Sequence, residues 1–126
     1  MPSPVIHIDV PWLLRRYEEV LPGAAAVGDL SVLVAAVARH RVEPPGPGVE
    51  SDAAWRAAAL LHTLAVLRPL PFANARFACA TAVAYLAVSG ARIDPPPGAL
   101  TGLVRDLRSG AADVHGAADR FRSWRI

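Results

Sequence analysis

The chain has no lysine and no glutamine, and only one asparagine, one cysteine and one methionine. A single cysteine, Cys79, excludes an internal disulfide framework and a thiolate metal cluster. The four histidines, His7, His40, His62 and His115, never stand three or four residues apart, so no helical histidine pair is offered to a metal. Long hydrophobic runs are also missing. The longest, Phe77 to Ala91, is about 15 residues, short of the roughly 20 that span a bilayer. The first ten residues show no charged segment leading into an apolar one, the pattern of a secretory signal. Together these absences predict a cytoplasmic protein with no metal site and no membrane partner.

Charge of one sign is nearly balanced by the other. All 13 cationic side chains are arginine, and 11 acidic residues are interleaved with them, for a net charge of +2. The sequence pI near 9.3 is therefore no argument for nucleic acid. The tail, Arg120-Phe121-Arg122-Ser123-Trp124-Arg125, mixes cations and aromatics. It reads as an amphipathic turn with Phe121 and Trp124 facing inward.

What is present is helix. With 53 % apolar residues in 126, the chain can bury one core, and residues 1–126 read as one domain. Helical spacing places helices at about 12–20, 30–42, 53–67, 74–89, 98–108 and 112–124. Asp29 and Ser51-Asp52 are cap candidates, Gly90 a terminator, and Glu43-Pro44-Pro45-Gly46-Pro47-Gly48 a loop. Arg39, His40 and Arg41 fall in a last turn, where positive charge is favoured. The expected fold is an all-α bundle of five to six helices around the apolar helix 74–89. Val5–Val10 and Arg92–Asp94 read as short extended pieces.

One segment carries chemical information: Arg68-Pro69-Leu70-Pro71-Phe72-Ala73-Asn74-Ala75-Arg76. A proline-stiffened loop runs into a helix start, where backbone N–H groups lack internal partners and the helix dipole is positive. Ala73 and Ala75 leave room for a ligand at that backbone, Asn74 is placed to cap, and Arg68 and Arg76 add charge. The segment is a candidate cradle for phosphate or another anion. Spacing alone leaves the plainer reading open, an Asn cap with arginines in water.

The same nine residues resemble the Fic/Doc family motif, His-Pro-Phe-x-Asp/Glu-Gly/Ala-Asn-Lys/Gly-Arg, carried on a loop entering a central helix. Pro69, Ala73, Asn74 and Arg76 match, and Leu70 replaces the Phe conservatively. The helix ending in Ala84-Tyr85-Leu86-Ala87-Val88-Ser89-Gly90-Ala91-Arg92-Ile93-Asp94 is similar to the continuation in Doc-type toxins, and Tyr17 to Gly23 is a weaker echo. The resemblance implies the Fic fold and a nucleotide such as ATP as ligand. It also implies transfer of AMP or phosphate to protein hydroxyls, and a protein antitoxin covering the Arg68–Arg76 loop. On this pattern Arg68, Ala73, Asn74, Ala75 and Arg76 are the phosphate-binding candidates.

The departures fall on the chemistry. Arg68 stands where the family has its catalytic His, and Phe72 where it has the acid that holds Mg²⁺. An arginine is not deprotonated in a protein and serves as no base. A phenyl ring offers no oxygen to a hard cation. General-base catalysis is worth about 10²–10⁴ in rate. The motif thus predicts an anion pocket with impaired or altered transfer and no clear metal dependence. The catalytic residue is left open. His62, six residues before Arg68, is a weak candidate base that reads more readily as a core or groove histidine between Leu61 and Thr63. Asp52, Asp94 and Asp106 are the acids that would have to replace the metal ligand from elsewhere. Three functions follow: a Doc-like toxin component with a degenerate site, an inactive Fic-fold module that binds a partner, and a plain helical interaction protein.

Overall fold

The computed structural model describes residues 5–42 and 51–126. Six helices run through them: α1 (Val10–Val20), α2 (Leu30–Arg41), α3 (Ala53–Leu67), α4 (Asn74–Val88), α5 (Ala99–Ser109) and α6 (Val114–Ser123). Among the described residues β structure is limited to one antiparallel bridge between Ile93 and Arg125. The fold is an all-α bundle of six helices. The loop expected at 43–48 and the first four residues lie outside the described residues.

Aspartates start four of these helices. Asp9, Asp29, Asp52 and Asp113 each accept a backbone N–H of the first turn, which satisfies donors that have no partner within the helix. These caps explain the boundaries. Asp9 moves the start of α1 back to Val10, and Asp113 moves that of α6 forward to Val114. The other two helices, α4 and α5, begin without a side-chain cap, at the left-handed residues Ala73 and Gly98.

The axis of the bundle is α3, not α4. Eleven of the 15 side chains of α3 are buried against six of 15 in α4. Helix α3 packs against α2, α4, α5 and α6. The reason is side-chain size. Ala54, Ala57, Ala58 and Ala65 fall on one side of α3 and leave it thin there, so a neighbour approaches closely. Helix α4 is apolar in composition but leaves Val83 and Val88 exposed.

Two threonines are buried in this core. Thr63 on α3 and Thr81 on α4 each carry a hydroxyl with no hydrogen-bond partner. A buried unpaired hydroxyl costs about 1–3 kcal/mol, and valine has the same shape without it. Thr81→Val is therefore expected to raise stability by about 1 kcal/mol in urea unfolding. A loss of stability would mean that the hydroxyl has a partner.

The extended segment before α1 is held by side chains. The Tyr85 hydroxyl donates to the Ile6 carbonyl at 2.6 Å, and Arg41 donates to the Ile8 carbonyl at 3.0 and 3.2 Å. The Ile8 N–H donates to His40 Nε2 at 3.2 Å. His40 is thus not a charge complementing the end of α2. It is fully buried, and with Nε2 as acceptor its Nδ1–H donates to the Arg56 carbonyl at 3.3 Å. At the other end, Arg92–Asp94 pairs with the C-terminal residues rather than with residues 5–10. Asp94 N–H donates to Trp124 O at 2.8 Å, and Ile126 N–H to Arg92 O at 3.0 Å.

Candidate anion-binding loop

The loop between α3 and α4 is bracketed by two left-handed residues, Arg68 (φ 49°) and Ala73 (φ 59°). Arg68 ends α3 and Ala73 starts α4. Between them the chain is gripped from two sides. Asn74 Oδ1 accepts the Leu70 N–H at 2.9 Å, and Asn74 Nδ2 donates to the Leu70 carbonyl at 3.0 Å. From α2, the backbone N–H groups of Gly28 and Asp29 both donate to the Pro69 carbonyl, at 2.9 and 3.0 Å. Gly28 permits that approach, since a Cβ there would come within 3.2 Å of the same oxygen.

Asn74 therefore does not cap α4. It is the first helical residue, and its amide is spent on the shape of the loop. The first-turn N–H groups of α4 are left without a side-chain cap. Arg68, Leu70, Pro71, Phe72, Ala73, Asn74 and Ala75 line a trough of about 440 Å³ together with Arg108. Four of the five candidate residues, Arg68, Ala73, Asn74 and Ala75, thus meet at one trough. Arg76 is exposed on the first turn of α4 and lines no part of it.

Arg108 is the residue that the sequence left unnoticed. It comes from α5, 40 positions after Arg68 by number, and its Nε donates to the Ala65 carbonyl near the end of α3 at 2.9 Å. That bond fixes its stem while the end of the guanidinium faces the trough. Burial lowers its pKa, and the Arg68 charge lowers it further. Arg68 and Arg108 are thus like charges sharing one cavity, an arrangement that an anion relieves.

The candidate base and acids stand elsewhere. The His62 Nδ1 meets Arg39 of α2. Burial and then the Arg39 charge lower its pKa, with Asp113 opposing. His62 does not line the trough. Asp52 caps α3 and is held by Arg122, whose Nε and NH2 donate at 2.9 Å each. Burial raises the Asp52 pKa, but the Arg122 and Trp55 hydrogen bonds outweigh it and leave it below the usual value. Asp106 pairs with Arg120 at 2.9 Å, and Asp94 is exposed beside the C-terminal bridge. Among the described residues no carboxylate lines the trough, and the Asn74 carbonyl oxygen is already engaged. The residues present therefore do not fit the Mg²⁺ that the motif's relatives hold. Cys79 on α4 is half-buried in the core, and burial raises its thiol pKa.

Arg68 lines the candidate trough from a strained backbone position. A side chain at positive φ costs about 1–2 kcal/mol, and glycine does not bear that cost. Arg68→Gly is expected to raise stability by up to about 1 kcal/mol in urea unfolding while weakening anion binding. Arg68→Ala should weaken binding with no gain in stability. Equal stability of the two variants would exclude strain at this position.

No family profile matches the chain, and no curated protein matches it significantly.

Proposed function

We propose that this chain is a Fic/Doc-like toxin component whose loop has kept an anion pocket and whose group transfer is impaired. The observation that carries this reading is the trough itself. Two arginines and an uncapped helix start converge there, and among the described residues no base and no metal-binding acid lines it. Such a site binds phosphate by charge-assisted hydrogen bonds. It has nothing to take a proton from an attacking hydroxyl and nothing to hold a cation against a leaving pyrophosphate. Nucleotide or phosphate is bound and not transferred.

A second reading is favoured by Leu67 and Phe72, both more than half exposed on either side of Arg68 (54 and 56 %). They suit a protein partner, an antitoxin or another, that covers the loop and shields them from water. The chain then acts as an inactive Fic-fold interaction module.

The test is label transfer. The purified chain is incubated with host lysate and ATP labelled at the α or the γ phosphate. No protein-bound label is expected from either position. Label from the α position, lost when Asn74→Ala and Arg76→Ala are combined, would overturn the claim that Arg68 and Phe72 disable the site. The partner reading is checked by co-purification and by hydrogen-exchange protection of residues 66–76, which a free loop would not show.

A further inference from the structure

Arg108 lines two troughs. Besides the one at the loop, it borders a second of about 450 Å³, lined also by Ala75, Thr101, Val104, Arg105 and Ser109. The two meet at Ala75 and Arg108. Arg105 and Arg108 are three residues apart on α5, so their side chains rise from neighbouring positions on one helix face. The second trough adds the Thr101 hydroxyl as a hydrogen-bond donor, while the Ser109 hydroxyl already donates to the Asp106 carbonyl at 3.1 Å. Among the described residues, no acidic side chain pairs with Arg68, Arg105 or Arg108. Positive charge is thus left unneutralised along one continuous path from the loop to the middle of α5.

We propose that the joined troughs bind a single ligand with two adjacent anionic groups, a condensed phosphate, without a divalent cation, and that Arg105 and Arg108 hold the second group. This rests on the reading of the loop as an anion cradle and extends it to α5. Arg68 and the start of α4 take the first phosphate. Arg108 stands between the two phosphates and supplies the positive charge that a metal ion would otherwise bring. Arg105, with the Thr101 hydroxyl, takes the second. A fixed guanidinium donates to two oxygens at once, which matches a bridging position better than a lysine would. Magnesium is then a competitor, because it neutralises the same oxygens that the arginines recognise.

Equilibrium dialysis with inorganic phosphate, pyrophosphate and ADP, at one ionic strength, with EDTA or with Mg²⁺, tests this. In EDTA, pyrophosphate is expected to bind about tenfold or more tighter than phosphate, the gain of one further charge-assisted contact. Mg²⁺ should not strengthen binding. Arg105→Gln should erase the preference for pyrophosphate and leave phosphate affinity unchanged. Arg108→Gln should weaken both about tenfold. Arg105 makes no contact that the fold needs, so its variant keeps the test valid even if Arg108→Gln unfolds. ADP binding as pyrophosphate does, or more tightly, supports the two-anion site and tells whether the diphosphate comes free or on a nucleoside. The proposal falls if phosphate and pyrophosphate bind equally, if Mg²⁺ is required, or if the remote Arg92→Gln matches Arg105→Gln. Phosphate binding that depends on Arg68 with no pyrophosphate gain would leave the loop reading standing. Absence of binding by both would remove the two together.

Discussion

Lowering the pH from 7 to 4 is expected to cost the fold roughly 3 kcal/mol through His40 alone. Burial lowers the His40 pKa from 6.5 to about 4, and each pH unit between the two is worth about 1.4 kcal/mol. The bond to the Arg56 carbonyl works against that shift, while the charges of Arg56, His7 and Arg41 add to it. The unfolded chain takes up the proton first, so stability is full above pH 6.5 and is lost progressively toward pH 4. The geometry gives the reason. The Ile8 N–H already points at Nε2, and a protonated ring would set a second N–H against it. The His62 pKa is lowered as well and contributes with the same sign. Urea unfolding at pH 7, 6, 5 and 4 reads this directly. His40→Gln should be less stable at pH 7 and flatter across the series. An equally steep loss in that variant would assign the acid sensitivity to another group.

Phe77→Ala is the substitution expected to harm most, by about 3–5 kcal/mol. Phe77 is fully buried in the first turn of α4, one residue after Arg76, and meets the Tyr17 ring of α1 edge to face at 5.9 Å. The Tyr17 hydroxyl in turn donates to the Ala25 carbonyl. This pair anchors the start of α4, and so the loop, to the α1–α2 corner. A domain with about 5–15 kcal/mol of stability loses a large part of it. The variant should unfold at much lower urea and should bind anions weakly even where folded. Phe77→Leu should lose less on both counts. A Phe77→Ala protein of near-normal midpoint would show that Tyr17 and α3 close the gap.

Much of this fold was legible in the sequence because its helices begin at strong local signals. The Asp52 cap and the apolar run behind it set α3 at 53–67 without reference to anything distant. The loop was legible for the same reason, since prolines and a lone asparagine mark a helix start. Three things were not. The central position of α3 depends on four alanines being thin, which periodicity does not weigh. His40 reads as a terminal cation until Ile8, 32 residues earlier, is seen to donate to it. Arg108 joins the site through a bond to Ala65 across 43 residues, and no spacing rule reaches that far. The role of Asn74 was half legible. Its position in the motif was plain, but its amide turns backward to Leu70 rather than forward into the helix.

The grip on Pro69 and Leu70 has a consequence for how this loop changes over generations. Every bond that shapes it uses backbone atoms or the Asn74 amide. The side chains at 72, 75 and 76 contribute to none of these bonds. The side chains at 72 and 76 can therefore change while the turn keeps its path, whereas Asn74 serves the turn and the candidate site at once. The same separation makes the loop a mounting point: new side chains at the exposed positions Phe72 and Arg76 inherit a ready-made geometry, and a library confined to these two should yield folded proteins throughout.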